Sequence, residues 1–344
     1  MKKKVINAAI IGCGRVADHY LKVIRKYKIT NLRIIAICDK NSKKLNLFAK
    51  YFKAKKYLNY KELFKNEVLD LVFILTPSGL HYLHSKYALL QNVNVLTEKP
   101  MTMLPSKTIE LNNLAKKKKL MYGVVFQNRF NPSIQALKYA LLKNRFGKLI
   151  NISINIFWCR YQNYYSDDWH GTWKNDGGVL NQQAIHHVDI LNWLFGPIEY
   201  VFGISSNQIN KLEAEDTIAV VFKSSKKFTG TIQATTAVRP KDFEASIKVF
   251  GENGMVEIGG IALNKILRWE FKKKKIGDKT IYRKNVKVIN GYGWSHSTVI
   301  KETIKRMLKN NFKPLIGALE AEKTGNLVHS IYKSCETKKI VLIK

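Results

Sequence analysis

An apolar run that breaks on two glycines and resumes as a helix is the feature that most constrains this chain. Residues 5–12 read VINAAIIG, and Gly12-x-Gly14-x-x-Ala17 leads straight into RVADHYLKVIRKY, where Val16, Tyr20, Val23, Ile24 and Tyr27 recur at helical spacing. In a strand–turn–helix unit the first glycine permits the tight turn. The second lets backbone N–H groups approach a diphosphate, and a small third residue lets the helix lie close to the strand. A glycine-rich turn without a ligand is the plain alternative; position near the N-terminus between a strand and an amphipathic helix favours the dinucleotide reading.

The alternation continues. LRIIAICD, DLVFILTP and VNVLTEKP are continuous apolar runs, separated by the helical stretches SKKLNLFAKYF, YKELFKN and LHSKYALLQN. Strands buried on both faces read this way, and intervening helices imply parallel pairing through right-handed crossovers. The first third is therefore expected to be a Rossmann-type doubly wound parallel sheet, giving an α/β chain overall. After LNNLAKKKKLMYG the texture changes: LINISINIFWCRY, IEYVFGIS, DTIAVVFKS, FTGTIQATTAV, EASIKVFGENGMVEIG and ILRWEFKK follow one another with turns between them. That pattern predicts a C-terminal α+β domain with a large, mostly antiparallel open sheet carrying the helices NPSIQALKYALLKN and NQQAIHHVDILNWLF. Two domains, 1–122 and 123–344, suit a length of 344 residues with 46% hydrophobic content. The last helix is expected to pack back on the first domain.

The formal charge of +34 raises nucleic acid or an anionic membrane as partners. The basic residues are spread along the whole chain, however, and Lys outnumbers Arg, so neither is expected; a general attraction for anionic small molecules is. Cys13, Cys38, Cys159 and Cys335 show no C-x-x-C spacing, which fits a reducing compartment. The opening MKKKVINAAIIGCG lacks a cleavage pattern and runs into the glycine turn, so it reads as a strand and not as a signal peptide. With no run long enough to span a bilayer, a cytoplasmic location is expected.

Asp39 closes the second strand, where an acid accepts hydrogen bonds from ribose hydroxyls and repels a 2'-phosphate, favouring NAD over NADP. Lys40, Lys43 and Lys44 work against that preference, and a cap of the next helix is the other role open to Asp39. TPSGLH at 76–81 and TEKP at 97–100 also occupy strand ends, where doubly wound sheets bind ligands.

These motifs, together with GGVLNQQAIHHVDILNWLFG at 177–196, give the chain a resemblance to the glucose-fructose oxidoreductase, inositol dehydrogenase and MocA (Gfo/Idh/MocA) family over nearly its whole length. The resemblance implies that Lys99 and His186 are catalytic, that Glu98 and Pro100 fix the lysine's backbone, and that the Lys99–Pro100 peptide is cis. It implies a cofactor site of Gly12, Gly14, Arg15, Val16, Ala17 and Asp39, completed by Thr76, Pro77, His81, Glu98, Lys99 and Gln127. On the substrate side it implies Lys99, Arg129, Asn131, Arg160, Trp169, Trp173, Gln182 and His186, in a cleft at the domain junction. Many inositol-type members carry Asp where this chain has Gln182, and an amide cannot exchange a proton, so His186 is expected to carry more of that work.

His187 faces another side of its helix and reads as structural; the pair with Asp189 offers no metal-ligand pattern, and no metal is expected. The aromatic stretch from Trp158 to Trp173, with Arg160 and Tyr165, is similar to the branch acting on nucleotide sugars, although ordinary core packing also uses such residues. The implied activity is an NAD-dependent dehydrogenase acting on carbon 3 of a UDP-N-acetylhexosamine or its uronate, in surface-polysaccharide precursor synthesis. Inositol or free-sugar dehydrogenases or reductases, and a non-catalytic NAD-binding regulator, are the alternatives. A homodimer or homotetramer is expected, because an open sheet leaves one face to cover.

Overall fold

The computed structural model describes residues 5–343 in two compact units. The lysines at 2–4 of the opening stretch, and Lys344 at the end of the expected last strand, lie outside the described residues.

In the first unit, β1 (Ile6–Ile11) leads into α1 (Arg15–Lys26), followed by β2 (Leu32–Cys38), α2 (Ser42–Phe52), β3 (Lys55–Tyr57), α3 (Tyr60–Asn66) and β4 (Leu71–Ile74). Next come α4 (His81–Leu90), β5 (Asn94–Thr97), α5 (Pro105–Lys117) and β6 (Tyr122–Val124). The strand order is β3-β2-β1-β4-β5-β6, all parallel. Every residue of β4 and β5 is buried, as continuous apolar runs require when both faces are covered. The order reverses between β1 and β4, the position at which such sheets hold ligands.

Because β6 still pairs with β5, the first unit runs to Phe126, beyond the boundary expected near 122. Residues 296–322 also belong to it: α9 (His296–Leu308) is included, and the amide of Val124 donates to the Ile316 carbonyl at 3.1 Å. The returning element is thus chiefly the penultimate helix. A chain that leaves a sheet and comes back leaves no mark in local periodicity.

The second unit, 127–295 and 323–343, is built on an eight-stranded sheet. Helix α6 (Pro132–Leu142) precedes β7 (Leu149–Phe157), then α7 (Gly178–Gln182), α8 (Ile185–Phe195) and β8 (Ile198–Ser206). The strands β9 (Thr217–Ser224), β10 (Thr229–Thr235), β11 (Glu244–Gly251), β12 (Gly254–Gly259) and β13 (Lys265–Phe271) follow. After α10 (Ala318–Thr337), β14 (Val341–Leu342) adds to the edge beside β8. Only β7 and β10 pair in parallel; the other neighbours are antiparallel.

Alternate residues of these strands, such as Ile152, Ile154 and Ile156 of β7 and Val220 and Phe222 of β9, pack against Leu137, Val188, Leu191 and Ile331 from α6, α8 and α10. One sheet face is therefore core. The other carries Phe202, Ile204 and Val221 beside Thr229, Thr231 and Gln233.

A buried ion pair fixes the start of this unit against α8. Arg129 donates Nε to Asp189 Oδ2 at 2.7 Å and Nη2 to Oδ1 at 2.8 Å, and Thr324 Oγ1 adds a bond to Oδ1 at 3.0 Å. Both ionic side chains are at most 5% exposed, so removing either leaves a stranded charge. Asp189→Ala is expected to destabilise the second unit by about 3–5 kcal/mol, read as an earlier denaturant transition; Asp189→Ala combined with Arg129→Met should recover much of that loss.

Candidate active site

The cofactor half begins at the turn after β1. Gly12 has φ +101°, and a Cβ there would lie 2.6 Å from the Leu75 carbonyl carbon and oxygen, so glycine is required for β1 and β4 to sit side by side. Gly14 differs: a Cβ built on it would meet nothing within 4 Å. It is the N-cap of α1 and provides no side-chain cap, so the helix opens onto empty space with its first amides uncapped by a side chain. A diphosphate fits that cradle by charge and by donor type. Ala17 is fully buried, as close helix-to-strand packing demands, while Arg15 is exposed and Val16 half-buried at the rim.

Asp39 accepts from the amides of Cys13, at 2.6 Å to Oδ2, and Asn41, at 2.7 Å to Oδ1. Helix α2 is capped by Asn41, whose Oδ1 accepts from the Lys44 amide, and not by Asp39. The carboxylate braces the glycine turn, and each oxygen keeps a lone-pair direction for a ribose hydroxyl.

Thr76 and Pro77 are half-buried at the end of β4. His81, expected beside the cofactor, is 1% exposed and spends both ring nitrogens on backbone: Nε2 faces the Thr76 carbonyl at 2.9 Å and Nδ1 the Pro100 carbonyl at 2.7 Å. It ties the two strand-end turns together. Burial lowers its pKa despite those carbonyls. The Lys99–Pro100 peptide is cis, as expected. Lys99 is half-buried, whereas Glu98 beside it is buried and bonded to Tyr20, with His296 close by.

The second unit holds a group of candidate residues of its own. Gln127, 1% exposed, points its Nε2 at His186 Nε2, 3.3 Å away, and at the Tyr292 carbonyl, 3.5 Å away. With the amide set by that carbonyl, His186 Nε2 is the acceptor, so this nitrogen carries a lone pair that can receive a proton. Gln182 is half-buried at the end of α7. His187 is buried, with its pKa lowered to about 3 by desolvation, and its ring lies 6.4 Å from Trp158 edge to face. It is packing.

The expected substrate residues separate into two sets. Arg129 is consumed by Asp189, and Asn131 by the Ala262 carbonyl at 2.6 Å and the Ser295 hydroxyl at 2.7 Å; both are 4% exposed. The family resemblance put them on the substrate side, and their hydrogen-bond partners tie them into the interior of the second unit. Arg160 is held differently. Its Nη1 bonds Asp242 Oδ1 at 2.9 Å and the Cys159 carbonyl at 2.7 Å, and its guanidinium lies 5.2 Å from the Trp158 ring centre and 5.6 Å from that of Tyr164. Both bonds are made by Nη1, and the side chain keeps 24% of its surface exposed, which leaves donors of the fork for an anion. Trp173 is 43% exposed, Trp169 is half-buried on the His170 ring, and Tyr165 is buried with its hydroxyl on Thr236.

Sequence reasoning missed Tyr20, His296, Asp242 and Glu215. Each meets its partner from a distant part of the chain, so no local pattern marks it. Glu215 Oε1 accepts from Tyr332 Oη at 2.6 Å and from the Leu180 amide at 3.5 Å, and burial raises its pKa to about 8. It holds the start of α7, where Gly178 (φ +83°) leaves no space for a Cβ beside that carboxylate.

Residues 6–126 match the profile of an oxidoreductase family with an NAD-binding Rossmann fold, and residues 134–257 match the GFO/IDH/MocA C-terminal domain. The chain belongs to the Gfo/Idh/MocA oxidoreductase family. Among its solved members, the WlbA dehydrogenase of Bordetella pertussis, in complex with NADH and UDP-GlcNAcA, is 28% identical with a TM-score of 0.94, over 100% of this chain and 99% of that one. The WlbA dehydrogenase of Chromobacterium violaceum, with the same ligands, is 31% identical with a TM-score of 0.92, over 100% and 97%. D-glucoside 3-dehydrogenase of Escherichia coli is 29% identical over 152 residues, 43% of this chain and 42% of that protein.

This Gfo/Idh/MocA chain is an NAD-dependent oxidoreductase, and the open cradle at Gly14 with the acid at Asp39 fits that cofactor. Among the described residues no cluster of His, Cys, Asp or Glu has a metal-binding arrangement. Asp39→Ser is expected to weaken NADH binding and shift preference toward NADPH, with Lys40, Lys43 and Lys44 nearby. Fluorescence titration with both nucleotides reads the ratio; a wild-type protein that already prefers NADPH contradicts this account of β2.

Proposed function

We propose that the chain oxidises the carbon-3 hydroxyl of a UDP-linked N-acetylhexosamine uronate, with Lys99 and His186 acting on the same hydroxyl. The observation that carries this reading is Arg160, a partly exposed guanidinium held through Nη1 by Asp242 and flanked by two aromatic rings. Support also comes from likeness over the full chain to two WlbA dehydrogenases crystallised with UDP-GlcNAcA. A free cyclitol is small and neutral and has no use for such a group, whereas a nucleotide sugar brings a diphosphate.

NAD, when bound, supplies the acceptor for the hydride that leaves carbon 3. His186 Nε2 takes the hydroxyl proton, exchanging the Gln127 amide for the substrate oxygen, and a histidine can do this near neutral pH. Lys99 stabilises the developing alkoxide by charge and hydrogen bonding. Gln182 holds a neighbouring hydroxyl without joining proton transfer. The product is a 3-keto sugar. The class of precursor suits surface-polysaccharide synthesis, and the four free thiols suit a reducing cytoplasm.

Turnover is tested by the appearance of NADH absorbance with UDP-GlcNAcA, UDP-GlcNAc and inositols. Lys99→Ala and His186→Ala should lower kcat by about a hundredfold or more with NADH binding nearly intact. Arg160→Ala should raise KM for the UDP-sugar more than it lowers kcat, because diphosphate binding is alike in ground and transition states. Better turnover of free inositol, with Arg160→Ala silent, replaces this reading with a cyclitol dehydrogenase.

The exposed sheet face supports a second proposal, a homo-oligomer. Ile204 and Val221 are 64% and 53% exposed, and Phe202 pairs with Val221 across β8 and β9. An apolar strip beside neutral Thr and Gln side chains suits a twofold stack of two copies. Light scattering at micromolar concentration is expected to give at least a dimer, and Val221→Glu a monomer; a monomeric wild type excludes the stack.

A further inference from the structure

Glu98 stands next to Lys99, is 6% exposed, and gathers groups from two separate helices of the first unit as well as from its own neighbour. Tyr20 Oη, from α1, donates to Oε1 at 3.0 Å. His296 Nε2, the first residue of α9, approaches the same oxygen at 3.4 Å. The amide of Lys99 itself donates to Oε2 at 3.3 Å.

Tyr20 and His296 are both fully buried, and their rings meet edge to face at 5.5 Å, with the His19 ring 4.7 Å behind His296. Burial alone raises the pKa of a carboxyl, but the His296, Lys99 and Tyr20 contacts outweigh it and hold Glu98 below the ordinary value. Tyr20 is pushed the opposite way by burial and by the same carboxylate, so it remains a phenol that donates. The charged and titratable groups acting on this carboxylate are thus Tyr20 from α1, Lys99 beside it in the chain, His296 from α9 and, more weakly, His81 from α4.

We propose that His296 and Tyr20 are positioning residues for Lys99, acting through Glu98: they hold the carboxylate, which fixes the lysine's backbone amide and keeps a negative charge beside its ammonium. Lys99 itself remains the group that meets the substrate; this inference rests on that part of the proposed function. The consequence is a dependence of the β5 end on α9, the element with which the chain returns to the first unit. A purely structural cluster would lower stability when cut and leave the chemistry of Lys99 alone. Positioning makes the opposite demand.

The test uses the full chain and three variants: Tyr20→Phe, which loses only a hydroxyl; His296→Leu, which loses the donor; and His296→Gln, which keeps one. The first readout needs no substrate. Trace labelling of amines with acetic anhydride over a pH series, with mass spectrometry of the peptide holding Lys99, compares its reactivity with that of exposed lysines such as Lys50. Once the carboxylate loses its partners, the ammonium of Lys99 is less favoured. Its labelling near neutral pH should then rise about threefold or more in Tyr20→Phe and His296→Leu, return toward wild type in His296→Gln, and leave Lys50 unchanged.

The second readout is turnover of UDP-GlcNAcA. Here kcat should fall about tenfold in the first two variants, with KM and NADH affinity within about twofold, and recover in His296→Gln. Unchanged Lys99 labelling in Tyr20→Phe and His296→Leu, with only a lower Tm, overturns the inference; should His296→Leu fail to fold, unchanged labelling in Tyr20→Phe alone overturns it. If wild type turns over no UDP-sugar, the substrate reading fails while the labelling still decides this one.

Discussion

Parallel pairing is the constraint from which the first unit follows. When β1, β2, β4 and β5 run the same way, every turn leaving a strand lies along one edge, so Gly14, Asp39, Thr76 and Lys99 are placed there whatever their separation in sequence. The pairing in turn requires Gly12, because its position beside Leu75 has no room for a side chain. One backbone contact therefore permits the sheet register, the sheet register makes the edge, and the edge collects the chemistry. Side chains then refine what the backbone has placed: Asp39 braces the glycine turn and His81 joins the Thr76 and Pro100 turns.

Buried charge is used throughout to hold turns and helix starts, which have no ladder of their own. Arg129 and Asp189 fix the beginning of the second unit on α8, Glu98 is held by Tyr20 and His296, and Arg145 grips Asp278, which also accepts from the Trp269 indole. Such groups are costly to desolvate, and their worth lies less in net stability than in the penalty for any arrangement that separates them. That penalty selects one geometry, which is what a site needing sub-ångström placement requires.

The same physics explains which parts of the molecule were legible in sequence. The doubly wound parallel sheet and its strands β1, β2, β4 and β5 were readable because apolar runs and helices alternate, and the glycine spacing marks the turn after β1; the three-residue strands β3 and β6 are too short to leave such a run. Lys99 and His186 were singled out through the motifs that surround them, and the structure puts Lys99 just past β5 and His186 in the first turn of α8. The boundary at Phe126 and the return of α9 were not, since both depend on pairing between residues far apart. Arg129 and Asn131 were expected at the substrate from the resemblance of their segment, and nothing within a window of a few residues says that Asp189, Ala262 and Ser295 will hold them. Arg160 shows the reverse: its neighbour Trp158 suggested a sugar site, but the carboxylate that holds its Nη1 is Asp242, from the segment before the adjacent strand β11 and 82 residues away in sequence.

The division of labour around His186 follows from where the carboxylates went. Asp189, one turn further along α8, has both oxygens committed to Arg129 and Thr324, so it serves the fold. Gln182, the last residue of α7, is an amide and cannot take a proton. Gln127 presents an amide hydrogen to His186 Nε2, which fixes the ring by a neutral contact and adds no charge. An imidazole held in this way keeps a neutral, basic Nε2, which a substrate hydroxyl can reach by displacing the Gln127 amide. In the proposed reaction the positive charge for the substrate oxygen comes from a different residue, Lys99, which follows β5 and whose amide donates to the buried Glu98 carboxylate.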